Sequence, residues 1–209
     1  MTIVLMLFLA TAVVPVFFGK ICAAPIWLTA QAVALAWAGF ARDGNLSLHS
    51  AITMAEILVI RAVVAPLLLR RATVRREEPN FDLMPSNLLI WMIAIALVVL
   101  AFEFGAPDRA DNALGLGVVA ATVAVALLLL STNPAPPAQL VAVLFMENAL
   151  ALFETMLPQP WPLPVHASLS AIYLLAAGVA SWLIGVPDRT EGSGSIGVPE
   201  DSVTNEAQA

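Results

Sequence analysis

The chain has 209 residues, 60% of them apolar and 11% charged, with a mean hydropathy of +0.90. Those values lie far outside the range of a soluble domain and identify an integral membrane protein. The net charge of −6 does not mark an acidic soluble protein, because Asp188, Glu191, Glu200, Asp201 and Glu206 all sit in the polar C-terminal end.

A membrane-spanning helix needs about 20 mainly apolar residues. Polar and Pro/Gly-rich breaks divide the chain into seven such stretches, near 2–19, 22–40, 51–69, 87–105, 113–131, 139–157 and 164–186. The expected fold is therefore all-α, a polytopic bundle of about seven transmembrane helices over residues 1–186. The first stretch lacks the basic flank of a signal peptide and is followed at once by the second, so it is read as a retained helix. The segment RRATVRREEPNFDLMPSN (70–87) carries four of the nine basic residues. Lys and Arg in short loops stay on the cytoplasmic side, which puts this loop and the C-terminus inside and the N-terminus outside. Lys20 and Arg189 then fall inside, while Arg42 and Arg109 fall outside beside Asp43, Asp108 and Asp111. Trp27, Trp37, Trp91, Trp161 and Trp182 lie mostly toward helix ends, as an aromatic belt requires. STNPAPPAQ (131–139) marks a short, stiff connection between the fifth and sixth helices. The tail, 187–209, is Gly-, Ser- and acid-rich and is expected to be disordered or docked on a partner.

Ionisable groups at membrane depth need an explanation, since a charge at a helix centre costs about 2.5–3.5 kcal/mol on insertion scales. The third helix contains Glu56 and, near its midpoint, Arg61. Five residues at about 100° each place them roughly 140° apart around a regular helix, so each is expected to find partners on other helices. Pro66 cannot donate to the Ala62 carbonyl, which frees an acceptor and favours a kink. The sixth helix carries Glu147 at its midpoint, Asn148 beside it and Glu154 seven residues on, a spacing that returns to nearly the same face. An Arg61–Glu147 pair between helices is the cheapest way to bury both charges. Gln31 in the second helix is expected to hydrogen-bond between helices. Glu103 is expected to reach water at a helix end. His166, after Pro164, is placed to titrate near neutral pH or simply to be solvated. Each acid has a packing reading, as a neutralised group that fixes its neighbours, and a relay reading, as a station for protons or ions. Depth favours the relay for Glu147 and the packing role for Glu154.

Several chemistries are excluded. A single cysteine, Cys22, forms no internal disulfide or CxxC motif, and His49 and His166 are too few and too far apart for a metal or haem site. No Ser-His-Asp, HExxH, phosphate-loop or GxGxxG pattern is present. A rhodopsin-like pigment is excluded because the one lysine, Lys20, ends the first helix. No cofactor is expected.

Chain length, a third helix with central Arg61 followed by Pro66, the basic loop after it, Gln31, and Met146-Glu147-Asn148 in the sixth helix together resemble the hydrogenase-4 component E family. The last part of that family is similar to the K-type subunit of respiratory complex I and to the C subunit of multisubunit cation/proton antiporters. The resemblance covers residues 20–186. It implies a membrane-arm subunit of a complex I-like or hydrogenase-4-like redox complex in a bacterial or archaeal cytoplasmic membrane. Such a subunit performs no redox chemistry itself and contributes buried charges to proton or cation translocation. Its implied partners are other membrane subunits and the lipid bilayer, with no nucleic acid. The resemblance implies that Glu147 matches the buried glutamate of the K-type subunit, and Arg61 a position where the family tends to have a basic residue, usually lysine. Where the family tends to have a carboxylate in the last helix, HASLSAIYLL (166–175) offers Ser168, Ser170 and Tyr173, with Ser170 at the acid's place. The competing readings are a purely structural subunit that holds its neighbours together and a stand-alone small transporter; the absence of a duplicated half argues against the transporter.

Overall fold

The computed structural model describes residues 1–43, 48–75, 82–84, 87–105, 113–157 and 162–184, without the side chains of Asp43, Leu48, His49, Arg75, Leu163, Pro164 and His166. The tail from 187 onward, Asp108, Arg109, Asp111 and Trp161 lie outside the described residues.

Everything described is helix or short connection. The elements are α1 (Thr2–Phe18), a 3-10 turn (Ile21–Ala23), α2 (Ala24–Asp43), α3 (Leu48–Glu56), a π-helical segment (Ile57–Val64), α4 (Ala65–Arg75), α5 (Leu88–Gly105), α6 (Ala113–Thr132), α7 (Pro136–Met156) and α8 (Leu163–Ile184). α3, the π segment and α4 follow one another without a break and form a single rod, one of seven among the described residues. Five helices are long and apolar enough to cross a membrane: Ile21–Arg42, Ser50–Val74, Ala113–Thr132, Pro136–Met156 and Ala167–Ile184. Thr2–Phe18 and Leu88–Phe104 are apolar but shorter.

Local chemistry sets the joints. Gly19 ends α1 with its N–H on the Pro15 carbonyl at 2.7 Å, and a Cβ there would collide with the Pro15 backbone. Only glycine lets the chain turn this tightly into α2. Pro136 and Pro137 occupy the first turn of α7, where the missing N–H groups have no helical partner to lose. At Gly117 the α6 backbone approaches α5 so closely that a Cβ would lie 2.6 Å from the Phe102 ring.

α2 and α7 form the middle of the bundle. α2 packs against α1, α7 and the third rod, α7 against α6, α2 and α8, and α8 against α4, while α5 lies outside on α6. Phe8, Leu35, Val118 and Leu152 fill one apolar core, and Leu28, Leu69, Leu129 and Phe145 belong to a second. The outer faces of α5 and α8 are apolar too, with Leu88, Met92, Phe104, Leu175 and Trp182 each more than 60% exposed. A surface this greasy suits lipid rather than water.

Each end of the bundle carries a clasp. At the end holding Lys20 and Asn133, the residues 82–84 tuck inward: Leu83 and Met84 are buried, the Lys20 and Asp82 backbones pair in an isolated antiparallel β-bridge, and Leu83 donates its N–H to the Gly19 carbonyl at 3.1 Å. Asn133 Nδ2 donates to the Leu83 carbonyl at 2.8 Å. The strap thus ties the α1–α2 turn to the α6–α7 turn. Phe17 and Phe18 meet the Trp91 ring edge-on, at 5.4 and 5.8 Å. At the opposite end Arg42 donates to the Thr155 carbonyl and, at 2.9 Å, to the Leu157 carbonyl. A guanidinium there satisfies carbonyls that the last turn of α7 leaves open and faces the negative end of its dipole.

Candidate functional site: a buried polar network around Arg61

The site begins with a defect in the third rod. Pro66 has no N–H and its ring crowds the Ala62 carbonyl, so the regular i→i−4 ladder cannot pass through it. The chain widens instead, and Ala65 N–H reaches back five residues to the Ile60 carbonyl over the π segment Ile57–Val64. The stranded Ala62 carbonyl is recovered by Thr29 of α2, whose Oγ1 donates to it at 2.9 Å. Pro66 therefore does more than bend the helix: it creates the wide turn that carries Arg61.

The expectation that Glu56 and Arg61 find partners on other helices holds, but the wide turn departs from the regular helix on which their angular separation rests. A regular α-helix separates them by about 140°. Hydrogen bonding from i to i+5 brings residues five apart close to the same face. Both side chains accordingly meet α8. Ser170 Oγ donates to Glu56 Oε1, and the Arg61 guanidinium lies over the Tyr173 ring, 4.4 Å from its centroid. Ser170 and Tyr173 are one helical turn apart and present a single face.

Arg61 is 5% exposed. Its Nη1 donates to Asn148 Oδ1 at 3.1 Å, and Asn148 Nδ2 donates to Gln31 Oε1 at 2.9 Å. Gln31 and Asn148 are fully buried. The expected pairing of Arg61 with the sixth helix exists, but the guanidinium bonds the Asn148 amide rather than the Glu147 carboxylate. The chain Gln31–Asn148–Arg61–Tyr173 links α2, α7, the third rod and α8. An amide is the group that can do this: it accepts from the guanidinium on one side and donates to a carbonyl oxygen on the other.

Glu147 is not hydrogen-bonded to Arg61 but lies across a cavity from it. Together with Glu154, Arg61, Ser170, Leu150 and Leu169, Glu147 lines this partly open cavity of about 90 Å³ between α7, α8 and the π segment. The seven-residue spacing of the two acids thus puts both on one cavity, as the sequence implies. A buried water needs roughly 10–15 Å³ of such space and two to four polar partners, and this cavity offers both for several waters. Glu56, on the far side of Ser170, adds a third carboxylate to the same neighbourhood.

Of the residues singled out from sequence, Gln31, Glu56, Arg61, Pro66, Glu147, Asn148, Glu154 and Ser170 come together here. Glu103 is exposed near the end of α5. His166 lies in the first turn of α8, and its side chain is outside the described residues. Thr29 is an addition, and Tyr173, noted in the sequence only as one of the polar groups of the last helix, joins the site as the ring under Arg61. Tyr173 is buried, with its ring under Arg61 and its hydroxyl without a hydrogen-bond partner among the described residues. The one signal for Thr29 was the acceptor that Pro66 strands. Among the described residues no three His, Cys, Asp or Glu side chains converge as a metal site. No protein-family model, curated protein or solved structure matches this chain.

Proposed function

We propose that this chain is a non-catalytic membrane-arm subunit of a complex I-like or hydrogenase-4-like redox complex, and that the Glu147 cavity is a station for proton or cation translocation. The observation that carries the proposal is the cavity itself: two carboxylates and a buried guanidinium around water-sized space, inside a bundle with an apolar exterior. Ionisable groups within membrane helices face bundle interiors or water-filled cavities and mark ion and proton paths. Arg61 is permanently cationic and held from two sides. It compensates a carboxylate in the cavity. Glu147 and Glu154, about 10 Å apart along α7, are then spaced for exchange through intervening water.

The family resemblance expects a carboxylate in the last helix, where this chain has Ser170. The Glu56 carboxylate is bonded to that serine. On this reading the third rod supplies in space the acid that the last helix lacks in sequence. The finer topology belongs to the same proposal: all seven rods cross the membrane, with the N-terminus outside and the C-terminus in the cytoplasm. Lys20, Arg70 and Arg71 gather toward one end of the bundle and Arg42 lies at the other, a bias that supports this orientation.

Replacing Glu147 with Gln preserves size and hydrogen bonding but removes the charge. The relay reading expects the complex to assemble and translocation to be lost; unchanged translocation would reject it. The hydrogen bonds joining Arg61, Asn148 and Gln31 favour a second reading, a structural subunit whose polar core fixes helix packing. That reading expects Arg61→Ala or Glu147→Ala to block assembly, whereas Glu147→Gln leaves translocation intact. Copurification in mild detergent identifies the partner subunits.

A further inference from the structure

On the other side of the third rod, away from the Glu147 cavity, α2 and α4 are separated by an open groove of about 500 Å³. Its walls are Pro25, Ile26, Val63 and Leu67, and Cys22 and Arg70 also line it. Ile26 is 71% exposed, Val63 50% and Leu67 51%, so the groove opens on the apolar exterior. The Thr29 hydroxyl reaches this groove already committed to the Ala62 and Pro25 carbonyls, leaving the inner wall little polar appetite. The two helices run in opposite directions, and the 3-10 turn at the start of α2 packs against α4. Cys22 and Arg70 therefore mark the same end. The exposed Lys20 and Arg71 adjoin it in sequence, and none of the residues lining the groove is acidic.

An apolar slot about 10 Å long, from residue 22 to residue 29 at 1.5 Å per residue, with a cationic mouth and a bilayer-facing opening, has the shape and charge of a phospholipid site. We propose that this groove binds an anionic phospholipid, with the phosphate at Arg70 and one acyl chain along Ile26, Val63 and Leu67. The lipid would cover the surface that the Pro66 turn leaves concave. It would also brace the α1–α2 turn against α4. Basic pockets between helices at a membrane surface recognise lipid headgroups in this way. The proposal does not depend on the relay reading and survives its failure.

Cys22 is the only cysteine in the sequence, which makes it a reporter placed in the groove. The full chain, purified in mild detergent, is titrated with dioleoylphosphatidylglycerol or dioleoylphosphatidylcholine. Bound lipid is read by native mass spectrometry and groove occupancy by the rate of maleimide labelling at Cys22. The glycerol lipid is expected to bind about fivefold more tightly than the choline lipid, the ratio for about 1 kcal/mol per basic side chain at a charged surface. It is also expected to slow Cys22 labelling, and Arg70→Gln should erase both effects. Val63→Trp, at a half-exposed position, fills the groove and should expel the lipid while Arg70 is intact. Equal binding of the two lipids, retention by either variant, or equal protection by sn-glycerol-1-phosphate without acyl chains would overturn the proposal. Protection of Cys22 that rises with protein concentration instead of lipid would point to a second copy of the chain and overturn it as well.

Discussion

Asn148→Leu keeps the heavy-atom skeleton of the side chain and removes both of its hydrogen bonds. The Arg61 guanidinium, 5% exposed, loses its acceptor at 3.1 Å, and Gln31 Oε1 loses its donor at 2.9 Å. A hydrogen bond to a charged group contributes about 1.5–3 kcal/mol, and a buried acceptor left alone costs about 1–3 kcal/mol. Bonds inside membrane proteins fall toward the low end, because the unfolded chain in the bilayer also finds partners. The expected destabilisation is therefore about 3 kcal/mol. The specific Arg61–Asn148 share is measured by a double-mutant cycle with Arg61→Met and should couple by about 1.5 kcal/mol. Asn148→Asp offers a contrast. One aspartate oxygen still accepts from Arg61, and the other can accept from Gln31 Nε2, which has no partner in the native arrangement among the described residues. Asn148→Asp should cost under about 1 kcal/mol. Unfolding in detergent micelles, followed by fluorescence of the five tryptophans, gives all three values. Coupling below about 0.5 kcal/mol, or equal losses in the Leu and Asp variants, would refute the bridging role of Asn148.

Thr29→Val should cost about 1–2 kcal/mol because it strands the Ala62 carbonyl; adding Pro66→Ala should restore most of this, since an N–H at position 66 can again reach that carbonyl, and the same unfolding measurement checks both. Tyr173→Phe keeps the ring under Arg61 and removes a hydroxyl with no partner, so its cost should be under about 0.5 kcal/mol, whereas Tyr173→Leu forfeits a desolvated cation–π contact worth about 2 kcal/mol. Arg42→Gln should raise amide exchange at the end of α7 while leaving the Arg61 network protected, with a loss near 1 kcal/mol read by hydrogen-exchange mass spectrometry. Gly19→Ala should strain the α1–α2 turn by about 1–3 kcal/mol and speed proteolysis there.

The helical rods were legible because each is an apolar run bounded by charge, glycine or proline, and that pattern survives any packing. The third rod extends beyond its apolar span, to Arg75, because Leu, Arg and Ala continue a helix readily after the greasy stretch ends. The strap at 82–84 was not legible. Leu83 and Met84 sit in a loop whose composition is polar, and their burial depends on the Gly19 carbonyl and the Asn133 side chain, more than 45 residues away in sequence. Arg42 likewise reads as a solvated charge beside acids, and its partners are two carbonyls at the end of α7. Sequence locates groups that must be satisfied; it does not say which of several eligible neighbours satisfies them.

The same distinction explains the site. Helical periodicity correctly put Glu147 and Glu154 on one cavity because α7 is regular between them. It does not carry over from Glu56 to Arg61, because the rod is not regular there. Proline's missing N–H was visible, yet a helix can answer it with a kink, a lost bond or a wide turn, and only the last rotates Arg61 toward the face that carries Glu56. Once it does, α8 needs two different residues one turn apart: a small hydroxyl to meet the carboxylate and an aromatic face to meet the guanidinium. Ser170 and Tyr173 are those residues. A carboxylate at position 170 would stand against Glu56 and destabilise the pair by like-charge repulsion. The serine in the last helix and the wide turn in the third rod are therefore parts of one arrangement, and introducing an acid by Ser170→Glu should be tolerated only when Glu56 is replaced by Gln or Ser.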